Sequence, residues 1–233
     1  MDKNIFASYK KESSVEFVIN SFKELLLTKK LRPGDSIPSE TALAESLNVS
    51  RGTIREAMKI LSAFGIIEIK RGDGTYIASS IGNALFDPFL FNLIMSDADT
   101  RQIVELRELL ETQIITLVIR NADNKDIGNI EEAYRMMEKA IMSEVKHGQE
   151  LIDCDIAFHK ALGNATKNVL VEKIYGFILE LFLPYIKNTY KQDKNERKAL
   201  LLHKKIMDAV IERNLEEAML ATRKSMEEWK EGI

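Results

Sequence analysis

The chain has 233 residues, 45% of them hydrophobic, with 33 Lys and Arg against 36 Asp and Glu, for a formal net charge of -3. That length permits one large domain or two moderate ones, two being the better reading, and the charge balance excludes a strongly basic nucleic-acid binder. The single cysteine, Cys154, excludes an intrachain disulfide and fits a reducing compartment. With no apolar core of signal-peptide length at the start and no run approaching the span of a bilayer, a soluble, cytoplasmic protein with no membrane partner is expected.

Residues 1–11 are polar and expected to be loosely held. From Val15 to Lys30 the apolar residues Val15, Val18, Ile19, Phe22, Leu25 and Leu26 recur at helical spacing, and Leu31-Arg-Pro-Gly-Asp reads as a turn. Ser39, between Pro38 and Glu40, is placed to cap a short helix carrying Leu43 and Leu47. Asn48 and Val49 leave room only for a tight turn. Ser50 then caps a second helix with Ile54, Ala57, Met58 and Leu61, ending near Phe64 and Gly65. Two short helices so joined predict a helix-turn-helix.

Arg51 and Arg55 lie four apart, beside the apolar stripe of that second helix. Such arginines are ordinarily a solvated face. At the start of a recognition helix, however, a guanidinium fork matches the two major-groove acceptors of guanine, and Gly52 allows close backbone approach to a duplex. Beyond this helix, Ile66 to Lys70 alternates apolar and charged residues, Arg71-Gly-Asp-Gly is a turn, and Thr75 to Ile77 returns as a strand. Helix, turn, helix and hairpin in this order are far less common than any one of the parts. Residues 1–79 hold 12 Lys and Arg against 10 Asp and Glu, and the remainder 21 against 26. A mild excess on the head predicts modest, strongly salt-dependent affinity per head, with dimerisation supplying further contacts.

The stretches PGDSIPSE, LAESLNVSRGTIREAMKILSAFGIIE and RGDGTYI resemble the winged-helix domain of GntR-type bacterial transcription regulators over nearly all of residues 12–79. The resemblance implies double-stranded operator DNA as partner. Arg51 and Arg55 match the recognition-helix arginines, Gly72 the wing glycine and Arg71 the wing tip. Ser39, Gly52 and Thr53 complete the expected DNA-binding set. Thr41 departs from the family, many of whose members carry Arg immediately after PSE.

Small polar residues 78–83 suit a domain boundary. Residues 84–95, rich in Phe and Leu but broken by Pro88, suit a short docking helix within a linker over 80–98. From Asp99 to the end the periodicity predicts only helices: 99–121, 126–145, 148–162, 168–190 with a bend at Pro184, 196–213 and 215–231. The expected fold is thus mainly α, an N-terminal winged helix-turn-helix followed by an antiparallel helical-bundle ligand-binding domain over 99–233.

Polar residues interrupt the inward stripes of that bundle. Asp155 and His159 fall among Leu151, Ile152, Ile156 and Leu162, and His203 lies between Leu200 and Ile206. An unpaired buried carboxylate costs several kcal/mol, so something must satisfy Asp155. A buried ion pair with a hydrogen-bonded core histidine is one solution. A divalent ion such as zinc, nickel or manganese, held by one carboxylate and two imidazoles with positions left open, is another. His147 reads as a surface residue and Cys154 as a small buried hydrophobe.

Asp155-Ile-Ala-Phe-His159 and His203-Lys-Lys-Ile-Met-Asp-Ala-Val resemble the metal-binding pattern of the all-helical effector-binding (FCD) domain of the FadR-type subgroup, loosely over residues 84–230. That resemblance implies a bound ion at Asp155, His159 and His203. A further family histidine about 22 residues on is replaced by Ser225. Arg107 shares an inward stripe with Ile103, Leu110 and Ile114, with Glu111 one turn on. Its ordinary reading is an ion pair with Glu111. The resemblance instead assigns Arg107, with Ser225, to an anionic effector, a small organic acid. The function so implied is a ligand-responsive, homodimeric regulator, a repressor on a palindromic operator. A metal-dependent enzyme with a regulatory head and a metal sensor are the alternatives.

Overall fold

Capping chemistry sets most element boundaries. The computed structural model describes residues 13–79, 92–93, 95–96, 98–143, 148–190 and 193–231. The polar N-terminus, most of the expected docking helix over 84–95 and His147 lie outside the described residues. The chain divides into two units, Met1–Phe89 and Leu90–Ile233.

In the first unit α1 (Ser14–Leu27) starts at a capping box, in which the Ser13 hydroxyl accepts from the Glu16 N–H while the Glu16 carboxylate accepts from the Ser13 N–H. The helix stops three residues before the expected Lys30. Lys29 turns left-handed (φ 57°), and the N–H groups of Lys29 and Lys30 close back on the carbonyls of Leu26 and Leu25. Ser39 caps α2 (Glu40–Leu47), Asn48 ends it at φ 52°, and Ser50 caps α3 (Arg51–Ala63) by accepting from the Thr53 N–H. Gly65 at φ 65° terminates α3 as expected.

Periodicity did not reveal β1 (Ser36–Ile37), because two residues carry no alternation to read. It joins β2 (Ile67–Lys70) and β3 (Gly74–Ile77) in an antiparallel sheet of order β1-β3-β2, with Ile37 opposite Thr75 and Ile67 opposite Ile77. Gly72 at the hairpin tip has φ 79°, a conformation that a side chain would strain. Val18 and Phe22 of α1, Leu43 of α2, Ile54, Met58 and Leu61 of α3 and the strand residues Ile67 and Ile77 close one core. The unit is a winged helix-turn-helix.

The second unit is helical throughout its described residues: α4 (Thr100–Asn121), α5 (Asn124–Met142), α6 (Gly148–Ala165), α7 (Val169–Thr189), α8 (Asp193–Ile211) and α9 (Leu215–Glu231). Asp99 with Gln102, and Asp123 with Asp126, form capping boxes that start α4 and α5, the latter two residues before its expected start. α6 runs three residues past the expected Leu162, and Pro184 lies inside α7. Between α8 and α9, Arg213 is left-handed (φ 57°) and donates from its guanidinium to the carbonyls of Ile119 and Ala122, tying this turn to the end of α4. Asn214 closes one helix with its N–H to the Ala209 carbonyl and opens the next by accepting from the Glu217 N–H. α4 packs on α6 and α9, and α5 on α6 and α8, around Ile115, Val118, Met137, Phe158, Phe182 and Val210. Among the described residues no helix is long and apolar enough to cross a membrane.

Ser50 is the one side chain that both caps α3 and contacts the Thr53 hydroxyl, at 2.8 Å. Ser50→Ala is expected to lower the urea-unfolding free energy of the first unit by about 1 kcal/mol. An unchanged denaturation midpoint counts against the cap as a determinant of this helix.

Candidate functional site

The expected DNA-binding residues sit on the exterior of the winged-helix unit. Ile54, Ala57, Met58 and Leu61 turn α3 inward, which leaves Arg51, Gly52 and Arg55 exposed over its first two turns. The Arg55 Nε lies 3.4 Å from Glu40 Oε2 on α2, a solvent-exposed pair worth little by itself. Thr53 is half-buried against Ser50, and Ser39 is exposed but commits its hydroxyl to the N–H of Ala42. Arg71 and Gly72 are exposed at the hairpin tip, and next to them the Lys70 ammonium stands 5.0 Å from the ring centre of Tyr76.

A second set of polar groups is buried inside the helical unit. Asp155 and His159 share one face of α6, and α8 brings His203 against them; all three are at most 4% exposed. One ligand atom from each lies within 4.8 Å of the others. α4 contributes Arg107 and Glu111, also 4% exposed, paired at 2.8 Å. Thus the expected Arg107–Glu111 pair forms, and Arg107 reaches further: its Nη2 lies 3.2 Å from His159 Nε2. The Phe182 ring lies 5.4 Å from the guanidinium carbon. Ser225 is half-buried on α9.

Sequence reasoning missed the hydroxyls that organise this cluster. Tyr175 of α7 donates to Glu111 Oε1 at 3.3 Å, so its oxygen accepts from His159 Nδ1 at 2.8 Å. Tyr190, at the end of α7, donates to Asp155 Oδ1 at 2.7 Å. The signal was present, since a tyrosine within an apolar helical stripe needs a partner for its hydroxyl. Gly163 makes room for Tyr175: a Cβ there would stand 3.1 Å from the ring. Phe158 was missed as well. It is fully buried and packs edge-on to His203 at 4.8 Å, whereas the expected core position Ile156 is half-buried.

Hydrogen bonds assign the ring nitrogens. His159 carries its proton on Nδ1, which leaves the Nε2 lone pair turned toward Asp155, His203 and Arg107. His203 Nδ1 donates to the Ala199 carbonyl at 2.7 Å. Its Nε2 lies 3.2 Å from Asp155 Oδ1 and 3.3 Å from His159 Nε2, two acceptors that call for a proton between them. Both imidazoles therefore have Nδ1 anchored and Nε2 directed at the same point as the Asp155 carboxylate. This donor set fits a divalent ion of the zinc, nickel or manganese type, with His203 giving up its Nε2 proton.

Electrostatics agree with that assignment. Burial pulls His159 down by more than the charges of Glu111 and Asp155 lift it, with Arg107 and His203 adding to the fall, so it titrates at about 4. For His203, burial is overcome by the hydrogen bond and charge of Asp155, with the Ala199 carbonyl adding to them, and its pKa is raised above 6.5. Asp155 remains ionised far below the usual carboxylate range: burial opposes this, but the His203 hydrogen bond and surrounding positive charge prevail. The linkage signs differ. His159, depressed, contributes stability present above pH 6.5 and lost as pH falls toward 4, whereas His203, raised, contributes stability present below pH 6.5 and lost as pH rises through its folded value. Nitrogen-15 NMR of ion-free protein is expected to show His159 as the neutral Nδ1–H tautomer with a midpoint at about 4. A midpoint at the ordinary 6.5, or the opposite tautomer, contradicts the assignment.

Comparison with known proteins places both units. Residues 14–77 match the model of bacterial regulatory proteins of the gntR family, and residues 102–228 match the FCD domain. The chain is 32% identical over 206 residues to the HTH-type transcriptional regulator LutR of Bacillus subtilis, covering 85% of this chain and 92% of that one. It is 27% identical over 218 residues to the Uxu operon transcriptional regulator of Escherichia coli, covering 91% and 83%. Among solved structures, Streptococcus agalactiae GntR aligns with a TM-score of 0.67 at 27% identity, covering 94% of this chain and all of that one. These relatives are transcriptional regulators and not enzymes. The chain belongs to the GntR family of bacterial transcription regulators, with an FCD domain behind its helix-turn-helix.

Proposed function

We propose that this regulator is a repressor that binds a palindromic operator as a cytoplasmic homodimer and releases it on sensing a small organic acid. In this reading residues 1–79 contact DNA, 80–98 connect, and 99–233 sense and dimerise. Arg51 and Arg55, with Gly52 and Thr53 beside them, address the major groove, and Arg71 and Gly72 the flanking backbone, with Ser39 at the start of α2. The head has an excess of only two positive charges, which favours two heads acting together.

The observation that carries the sensing half is the convergence of Asp155, His159 and His203 inside a regulator's helical domain. These three would hold a divalent ion, whose positive charge favours an anionic ligand. Arg107 supplies a guanidinium for the acid's carboxylate, and Ser225 stands where the family pattern has a further histidine. Tyr175 and the Ala199 carbonyl keep both imidazoles facing inward. Acid binding lowers operator affinity through a coupling of about 1 to 3 kcal/mol.

In gel-shift assays the full chain is expected to retard DNA from upstream of its own gene, with both Arg51→Ala and Arg55→Ala losing the shift while remaining folded. If both variants bind that DNA as the parent does, the recognition-helix assignment fails. If chelation alone abolishes control and no acid acts, the ion itself is the signal.

A further inference from the structure

We propose that Arg107 is a built-in counter-cation of the Asp155–His159–His203 cluster and contends with a divalent ion for the Nε2 lone pair of His159, so that its position sets the affinity for the ion. This rests on the reading of the three residues as an ion site, and extends it to how that site is regulated.

His159 has one in-plane lone pair to give. Its Nδ1 is committed to Tyr175 at 2.8 Å, and Tyr175 is anchored by Glu111 at 3.3 Å, so the ring cannot offer its other nitrogen. The remaining nitrogen, Nε2, faces Arg107 Nη2 at 3.2 Å and, at 3.3 Å, His203 Nε2, which gives up its proton when it serves as a ligand itself and so leaves Arg107 as the standing donor. A lone pair that accepts an N–H does not at the same time coordinate an ion. Arg107 is held in that pose by Glu111 at 2.8 Å and by the Phe182 ring, so the contact belongs to a braced side chain.

The guanidinium also adds a fixed positive charge near the buried Asp155 carboxylate, beyond the direct contacts of Tyr190 and His203. A carboxylate ligand that accepts from Nη2 draws Arg107 off His159 and frees the lone pair. Acid and ion then bind cooperatively, each raising the affinity of the other by the same factor. If Arg107 served only as partner to Glu111, or only as an arm for the acid, its removal would leave ion binding unchanged or weaker.

Zinc titration of the full chain against a competing chelator separates these cases, using the parent, Arg107→Gln, Arg107→Gln/Glu111→Gln and His159→Ala, with circular dichroism to verify folding. The double variant removes both charges of the pair together and decides the matter where the single variant fails to fold. Arg107→Gln, and the double variant with it, are expected to bind zinc about tenfold more tightly than the parent, and His159→Ala to lose it. Zinc bound only once Arg107 is replaced likewise supports the competition. Zinc affinity in folded Arg107 variants equal to or below that of the parent, with His159→Ala still abolishing binding, overturns the competition and leaves the ion site standing. Absence of zinc binding in every form overturns both.

Discussion

The carboxylate of Asp155, sealed inside a helical bundle, is the constraint from which the interior of the FCD domain follows. A bare charge there costs several kcal/mol, so four helices contribute to its surroundings. Tyr190 donates to it from the end of α7, His203 approaches it from α8, His159 stands one turn along α6, and Arg107 adds its charge from α4. Each of these groups in turn requires a partner. Glu111 answers Arg107, Tyr175 bridges Glu111 and His159, and the Ala199 carbonyl accepts a hydrogen bond from His203 Nδ1. The result is a closed polar network whose inward-facing oxygens and nitrogens, with the Nε2 proton of His203 removed, are those a divalent ion would take. It is costly to a folded core and suited to a switch, because removing or adding one cation rearranges several hydrogen bonds at once.

Although the Asp123–Asp126 box that starts α5 was not read, much of the local chemistry whose partner lies within one helical turn was legible in the sequence. The serine caps of α2 and α3, the glycine that ends α3 and the Arg107–Glu111 pair are all of this kind. Asp155 and His159 stood out because their spacing sets both on an apolar face, and His203 because it interrupts one. What the sequence concealed was long-range: Tyr175 meets a histidine 16 residues away, and Tyr190 a carboxylate 35 residues away. On α6 the expected stripe of Leu151, Ile152, Asp155, His159 and Leu162 is buried, and only Ile156 departs from it. Phe158, seven residues after Leu151 and four before Leu162, lies on that same helical face and packs against His203 of another helix, a position that the 3.6 period contained and that was overlooked. The two-residue strand β1 owes its existence to β3, 40 positions further on at Tyr76, and not to its own composition.

The two units divide the labour of a GntR-family regulator unevenly. The winged-helix unit presents Arg51, Arg55 and Arg71 to solvent on a scaffold whose net charge is barely positive, which in the proposed homodimer would make its hold on DNA sensitive to small changes in how two such units are presented. The helical unit places its polar groups where water is excluded, so that electrostatic changes are felt strongly. In the proposed repressor, this contrast is what allows a coupling of about 1 to 3 kcal/mol in the bundle to decide occupancy of an operator.

Whether Arg107 and an ion contend for His159, as proposed, is read from crystals of the full chain grown with zinc and measured at its absorption edge. The expected result is an anomalous peak within coordination distance of Asp155, His159 Nε2 and His203 Nε2, with the Arg107 guanidinium withdrawn from its 3.2 Å contact with His159. A peak at the three ligands with that contact intact contradicts the competition, and crystals that bind zinc only elsewhere contradict the ion site itself.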